Sequence, residues 1–374
     1  MTMTRRMFAG RGLRVGAMGM AAGVLPRAWG MGQATVGAGA GRQIGYAVIG
    51  LGEIAKHFIG GVGMSQRTKI TGLVSGDRAK AEAQAAQLGI PKTSVYSYAD
   101  MDRMRENKAI DAVYVALPNS MHAEYTIRSA KAGKHVLCEK PMAVSVAECQ
   151  QMVDACKAAS VKLMIAYRMH YEPLTLEAIG RLRRGEIGEI RAIEAAFGFD
   201  SKPGVWRLNR KLAGGGSLMD VGIYCLNATR YLTGEEPAEI KAFSYSDPKD
   251  PRFKEVEETV SWTTRFPSGI LATCNTTYGG PMPGFFKVTG SKGVLEMGPA
   301  YSYEGITMKV GGGEGKPATE KTNPEKDPTQ FMREAEALAT NIVENTPVKA
   351  SGEEGMKDIQ WISRIYGAAG LPTV

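Results

Sequence analysis

Residues 46–55 read YAVIGLGEIA. An apolar run of strand length ends at Gly50-Leu51-Gly52 and gives way to a helix-forming stretch that opens with Glu53-Ile54-Ala55. Between a strand and a helix, the pattern GxGxxA is a dinucleotide-binding turn. Its glycines allow a tight bend, and they let a pyrophosphate approach the free N–H groups at the helix N-terminus. Away from that context the same letters would mark an ordinary glycine turn. Here they assign Gly50, Gly52, Glu53 and Ile54 to a cofactor site.

The pattern continues outward from this turn. Apolar runs KITGLVS (69–75), AIDAVYVALP (109–118), KHVLCEKP (134–141) and KLMIAYR (162–168) alternate with stretches of helical period such as RAKAEAQAAQLG and SVAECQQMVDACKAA. Strand–helix alternation predicts a doubly wound parallel sheet, a Rossmann domain, over residues 44–168. After residue 169 the texture changes. Strand-like runs EIRAIEAAFGF, EIKAFSYS, ETVSWTTRF, GILATCNTTY, FFKVTG and GVLEM follow one another, with hairpin signals at RFPSGIL and TGSKGVL. Residues 169–374 are therefore expected to form an α+β domain with a large open, mainly antiparallel sheet. Its last two helices, near 329–345 and 352–369, pack back. Residues 311–328 (GGGEGKPATEKTNPEKDP) read as an exposed loop.

The chain has 374 residues, 44% apolar and 22% charged, as expected for a globular protein of two domains. Its net charge is +8, but five arginines and no acid lie in residues 1–34, which leaves only +3 for the rest. That is too little, and too scattered, for nucleic acid. TRRMFAGRG, the weakly apolar LRVGAMGMAAGVL and the small residues of Gly32-Gln33-Ala34 resemble a twin-arginine (Tat) export signal over residues 1–34. A short linker, 35–43, joins it to the first strand, and periplasmic localisation is expected. The five cysteines (138, 149, 156, 225, 274) lack metal-ligand spacing and read as small core residues. The four histidines show no paired spacing, so no metal is expected. His57 and His170 suggest no partner.

The second strand should end on the residue that meets the adenosine ribose, usually an acid for NAD. Ser75 stands there, with Arg78 and Lys80 close by. A hydroxyl with cations suits a 2′-phosphate, so NADP is favoured. Asp77 dissents, yet it lies two positions later, where it can cap the next helix. Two further strands end at ALPNSMH (116–122) and CEKP (138–141), on the same rim as the glycine loop. Lys140 then faces the nicotinamide cleft instead of lying unpaired in the core, where its charge would be costly.

PNSMH followed by EKP, on such a domain, resembles the Gfo/Idh/MocA family of sugar and polyol oxidoreductases. The stretch WRLNRKLAGGGSLMDVGIYCLNATRYLTGEEP (206–237) narrows the likeness to the periplasmic glucose–fructose oxidoreductase subgroup, with Tyr224 where many members carry histidine. The resemblance implies an aldose oxidised to its lactone and a ketose such as fructose reduced to an alditol such as sorbitol, in ping-pong fashion on tightly bound NADP. Lys140, Tyr224 and Asp220 are its catalytic candidates. A tyrosine is a poor base, but an adjacent ammonium favours its phenolate, and Asp220, four residues before Tyr224, shares its helical face. Pro118, Asn119, His122, Glu139, Arg168, Trp206 and Arg207 are implied around the cofactor, with Tyr171 a weaker candidate.

Export gives this reading a second support. The periplasm has no pool of free nicotinamide cofactor, and Tat carries folded proteins, so an exported NADP enzyme would bring its cofactor and recycle it between two sugars. Three alternatives stay open: an aldose–aldose enzyme, a plain NADP aldose dehydrogenase, and an NAD-dependent glycosidase of the same fold. A non-catalytic sugar-binding protein would have lost Lys140 or Tyr224. The partners are small sugars and a second copy of the chain, in a dimer or tetramer. The dimer is expected through the open sheet, whose apolar face would otherwise be exposed.

Overall fold

The computed structural model describes residues 42–312 and 317–374. The expected export signal (1–34) and most of the expected linker (35–43) lie outside the described residues. The first sheet contains β1 (Ile44–Ile49), β2 (Thr68–Val74), β3 (Val95–Tyr96), β4 (Ala112–Val115), β5 (His135–Glu139) and β6 (Leu163–Ala166). Their order is β3-β2-β1-β4-β5-β6 and every pairing is parallel. The order reverses between β1 and β4, and the carboxyl ends there form the crevice that such sheets offer a ligand.

Four helices connect these strands: α1 (Glu53–Met64), α2 (Arg78–Leu88), α3 (His122–Lys131) and α4 (Val146–Ala158). β1, β4 and β6 are buried along their whole length, as expected of strands covered on both faces. The two-residue strand β3 is too short to leave a sequence pattern.

The chain then forms α5 (Pro173–Arg183), β7 (Ile190–Gly198), the short α6 (Arg210–Ala213) and α7 (Ile223–Thr233). The second sheet is completed by β8 (Glu239–Tyr245), β9 (Thr259–Arg265), β10 (Leu271–Thr277), β11 (Met282–Gly290), β12 (Val294–Gly298), β13 (Thr307–Gly311) and β14 (Thr319–Thr322). Its order is β14-β13-β12-β11-β7-β10-β9-β8, antiparallel except where β7 and β10 run parallel. The stretch read as a loop over 311–328 therefore contains an edge strand, β14. Its sequence TEKT is exposed throughout and has no apolar alternation, so only pairing with β13 defines it.

The outer face of this sheet corrects a second expectation. Register aligns Glu194, Lys287, Glu296, Lys309 and Glu320 in one row across five neighbouring strands. Opposite charges thus alternate where an apolar face was expected, and cross-strand pairs of this kind stabilise a solvated sheet. The exposed aromatics Phe243 and Tyr245 lie on the edge strand β8.

Two closing helices, α8 (Thr329–Val343) and α9 (Gly352–Ala368), return to the first layer, where α8 packs on α1 and α9 on α4. At Gly61 of α1 an added Cβ would lie 2.7 Å from the Met332 backbone nitrogen, so a glycine is needed for so close an approach. This packing brings α8 behind the carboxyl end of β5.

Candidate active site

The glycine turn has the predicted geometry. Gly50 has φ +89°, and a Cβ there would lie 2.5 Å from the Ala116 carbonyl oxygen. Gly52 precedes α1 without a side-chain cap, and no atom lies within 4 Å of an added Cβ. The first-turn N–H groups therefore have no side-chain acceptor and face open space, which fits a pyrophosphate. Glu53 is turned outward to Lys56 (2.6 Å) and Ile54 is half-buried, so both would serve such a group through their backbone.

At the end of β2, Ser75 is buried and its Oγ accepts the Asp77 N–H (3.1 Å). Asp77 Oδ1 in turn accepts the Lys80 N–H (3.0 Å), capping α2. The Lys80 ammonium donates to the Leu51 carbonyl (2.6 Å), which holds it over the glycine loop. Beside it, Lys56, Gln84 and Gln87 line an open depression of about 400 Å³. Arg78 is not part of this group; it forms a surface pair with Glu82 (2.8 Å).

Two further residues expected near the cofactor are bound to backbone carbonyls. Asn119, just after Pro118, is buried and its Nδ2 donates to the Ala213 carbonyl (2.8 Å). His122 is fully buried, with Nδ1 2.8 Å from the Pro141 carbonyl and Nε2 2.9 Å from the Leu117 carbonyl. Both side chains thus hold backbone carbonyls of neighbouring loops at this rim.

Lys140, Asp220, Tyr224 and Arg207 do come together. The Lys140 Nζ donates to Asp220 Oδ1 (2.9 Å) and to the Asp220 carbonyl (2.7 Å). The other carboxylate oxygen, Oδ2, accepts the Tyr278 hydroxyl (2.7 Å). Arg207 Nε lies 3.0 Å from Oδ2 but makes no directed hydrogen bond, so the contact is one of charge, and its guanidinium stacks on Trp206 (4.7 Å to the ring centroid). Asp220 belongs to a π-helical turn, Leu218–Gly222, that runs on into α7; such turns recur at functional sites.

Burial is the largest single influence on Lys140 and works against its charge, but Asp220, Tyr224 and Glu139 together outweigh it and hold the ammonium above its ordinary value. Burial likewise opposes Asp220, and Lys140 and Arg207 together keep its carboxyl well below the usual range. The Lys140–Tyr224 contact differs from expectation. The ammonium lies over the phenol ring, 4.8 Å from its centroid, while its hydrogen bonds go to Asp220.

Arg168 lies deeper than predicted. It is 4% exposed, with Nη1 donating to the Ser302 carbonyl (3.0 Å) and to Gln330, and Nη2 to the Tyr301 carbonyl. Its guanidinium sits between the rings of Tyr224 (5.2 Å) and Tyr303 (4.6 Å). Glu139 is buried too, accepting the Tyr114 hydroxyl and the Lys140 N–H (3.1 Å). Tyr171 reaches back to Met164. Both histidines that suggested no partner have one. His57 Nδ1 meets Asp327 (2.7 Å) while its ring stacks on Phe331, and His170 Nε2 meets Asn227 (2.9 Å). Burial pushes His170 down to about 3. Among the described residues the five cysteines are free and buried, and no group of three or more His, Cys, Asp or Glu could hold a metal.

Tyr278, Tyr303, Gln330 and Glu334 were not foreseen. They come from the end of β10, the loop after β12 and α8, and nothing in their local sequence distinguishes them from core residues.

Comparison with known proteins agrees with this geometry. Residues 44–167 match the GFO/IDH/MocA oxidoreductase family with its NAD-binding Rossmann fold, and residues 175–296 match that family's C-terminal domain. A D-xylose 1-dehydrogenase [NADP(+)] of Haloarcula marismortui is 29% identical, covering 87% of this chain and 90% of its own. A second D-xylose 1-dehydrogenase (NADP(+)), of Haloferax volcanii, is 31% identical over 79% of this chain and 88% of its own. The crystal structure of an aldose–aldose oxidoreductase from Caulobacter crescentus, complexed with glycerol, superposes with a TM-score of 0.84. It is 42% identical, covering 88% of this chain and 98% of that one.

Proposed function

The chain belongs to the GFO/IDH/MocA oxidoreductase family, and on that basis we propose that it is an NADP-dependent sugar oxidoreductase that oxidises an aldose at its anomeric carbon and reduces a second sugar in turn. The observation that carries this reading is the cluster of Lys140, Asp220, Arg207 and Tyr224, assembled from both domains on the rim that holds the glycine loop.

NADP fits the residues present: the α1 N-terminus for its pyrophosphate, and Ser75 with Lys80 for a ribose phosphate. When bound, it supplies the acceptor and donor of the hydride. The protein's own part is the proton. Oxidation of the hemiacetal removes a hydride from carbon and a proton from the attached oxygen. Lys140 is held charged by Asp220, so it acts as a fixed positive charge and not as the base. Tyr224 is left as the residue whose hydroxyl exchanges that proton. Arg207 borders the same carboxylate and stacks on Trp206, and this pair is assigned to the sugar.

Similarity to the 42%-identical aldose–aldose oxidoreductase favours a second aldose as the acceptor over fructose. The Tat-like leader favours an enzyme exported to the periplasm with its nucleotide in place and retained through both half-reactions. Self-association through the open sheet would rest on its charge ladder, and it should therefore weaken as salt rises, a change read by sedimentation.

The test uses purified protein with no added nucleotide. Glucose should raise the reduced-nicotinamide absorbance in proportion to protein, and xylose should then remove it. Removal by fructose alone would restore the glucose–fructose reading. Turnover that begins only when NADP⁺ is supplied would identify a simple dehydrogenase and end the argument from export. Failure of glucose and xylose with and without NADP⁺ would refute the assignment.

A further inference from the structure

One ionisable group lies beyond the reach of this chemistry yet directly behind it. Glu334, on α8, is 1% exposed, and neither of its carboxyl oxygens has a hydrogen-bond partner. A buried carboxylate without partners costs several kcal/mol, and in practice such a group takes up a proton. The groups that bear on it electrostatically are Tyr46 from β1, whose hydroxyl donates to the adjoining Ala335 carbonyl (2.9 Å), Tyr114 from β4, whose hydroxyl donates to Glu139 at the end of β5, and Arg168 and Tyr171 from the segment after β6. Arg168 is the one cation among them, and its Nη atoms are already committed to the Tyr301 and Ser302 carbonyls and Gln330, one turn before Glu334.

The two glutamates are not equivalent. Glu139 accepts from the Tyr114 hydroxyl and from the Lys140 N–H, while Glu334 accepts from nothing. Burial raises both carboxyls, but Tyr114, Lys140 and Arg168 offset it at Glu139, whereas Glu334 is pushed well above its ordinary value, so a proton resides by preference on Glu334. We propose that Glu334 is a neutral carboxylic acid at neutral pH and acts as a positioning residue: its proton lets Glu139 carry the only negative charge behind Lys140 and leaves Arg168 between Tyr224 and Tyr303. Loss of the proton would add a second negative charge and draw Arg168 toward α8, away from Tyr224. Burial, with Glu139 as the second cause, is what keeps the proton in place.

The test is E334Q, whose amide imitates the protonated acid and cannot ionise. A carboxyl with a raised folded pKa stabilises the fold fully only below its unfolded value near 4.3. Its contribution is lost as pH rises toward the folded value, because the unfolded chain ionises first. Above pH 4.5 the wild type should therefore lose ground to E334Q, by about 2 °C in Tm per pH unit for a chain of this size, until Glu334 itself ionises. A difference independent of pH, or an E334Q protein that becomes relatively less stable as pH rises, would show that Glu334 is ionised and would overturn the proposal.

The positioning role rests on the sugar-oxidoreductase reading and has its own measurement. The alkaline limb of kcat/KM should move to higher pH in E334Q, and an unmoved limb would remove that role. If the wild type oxidises no aldose, the proposed function fails while the thermal result still decides the protonation of Glu334.

Discussion

Asp220→Asn is the most informative single change, because one carboxylate holds three partners. It lies 2.9 Å from the Lys140 ammonium and 3.0 Å from Arg207 Nε, and it accepts the Tyr278 hydroxyl at 2.7 Å. The Lys140 and Asp220 side chains are each only 13% exposed, so solvent screens the pair weakly. Removing one partner of a buried ion pair costs about 3–5 kcal/mol, chiefly because the other charge is left uncompensated. Lys140 keeps one acceptor, the Asp220 backbone carbonyl, which places the loss near the lower end. About 3 kcal/mol corresponds to roughly 4 °C in Tm for a chain of this length.

The pH dependence fixes the sign. The Asp220 carboxyl is depressed in the folded state, so its contribution is complete above its unfolded value near 3.9 and is lost as pH falls through the lower folded value. The Tm gap between wild type and D220N should be steady between about pH 5 and 9 and should narrow in acid. Without the carboxylate, burial is opposed only by Tyr224 and Glu139, and the ammonium's pKa falls. The alkaline limb of kcat/KM should then shift to lower pH. Thermal melts across pH, with pH–rate profiles of both proteins, read the two effects. An unchanged Tm at pH 7, or an alkaline limb that stays in place, would refute the claim that Asp220 keeps Lys140 charged.

Three other changes probe separate parts of the molecule. Y224F removes only the hydroxyl from a ring that Lys140 and Arg168 still contact, and it should lower the single-turnover rate of aldose oxidation by about 10²–10⁴-fold without changing the nucleotide bound per chain. K80M removes the cation over the glycine loop and should weaken NADP about tenfold while leaving NAD little changed, as measured by titration of nucleotide-free protein. R230M deprives the fully buried Asp358 of its partner at 2.6 Å, along with contacts to Glu236 and Glu354, and should cost about 3–5 kcal/mol. Part of that loss should be recovered in acid, where Asp358 can take up a proton, and melts at pH 5 and pH 8 would show it.

These residues differ in how far the sequence announces them. Gly50 and Gly52 are legible because the turn is local: strand, two glycines and helix lie within a dozen residues. Lys140 stands out because a charge ends an otherwise buried strand. Asp220 and Tyr224 are found by spacing, one turn apart. The sequence places Asn119 and His122 on this rim but does not announce the backbone carbonyls they meet, which come from loops brought together by the fold. Glu334 is the extreme case. Written as TQFMREAEALATNIV, α8 looks like an amphipathic helix with a few exposed acids. Only the close packing of α8 on α1 turns this glutamate into the interior, beside a residue almost two hundred positions earlier in the chain.

The charges around Tyr224 show why that buried proton matters to the chemistry. Lys140 and Arg168 lie against its ring, and Arg207 joins them through Asp220. Facing these three cations are the carboxylates of Asp220 and Glu139. With Glu334 neutral, one positive charge is left over in a site whose Lys140 and Asp220 side chains are mostly shielded from water while Arg207 reaches toward solvent. On the proposed reaction, an oxygen that loses its proton there gains negative charge where the field already favours it, and fixed charges need no reorganisation as the proton leaves. With Glu334 ionised, the excess disappears and Arg168 is pulled the other way. In the proposed second half-reaction, returning the hydride to another sugar reverses the proton flow, and the same surplus then opposes protonation of the nascent alcohol. A two-sugar enzyme therefore needs a surplus that is modest, and a single uncompensated charge shared among three cations meets that condition better than a fully neutralised site or one with all three cations unanswered.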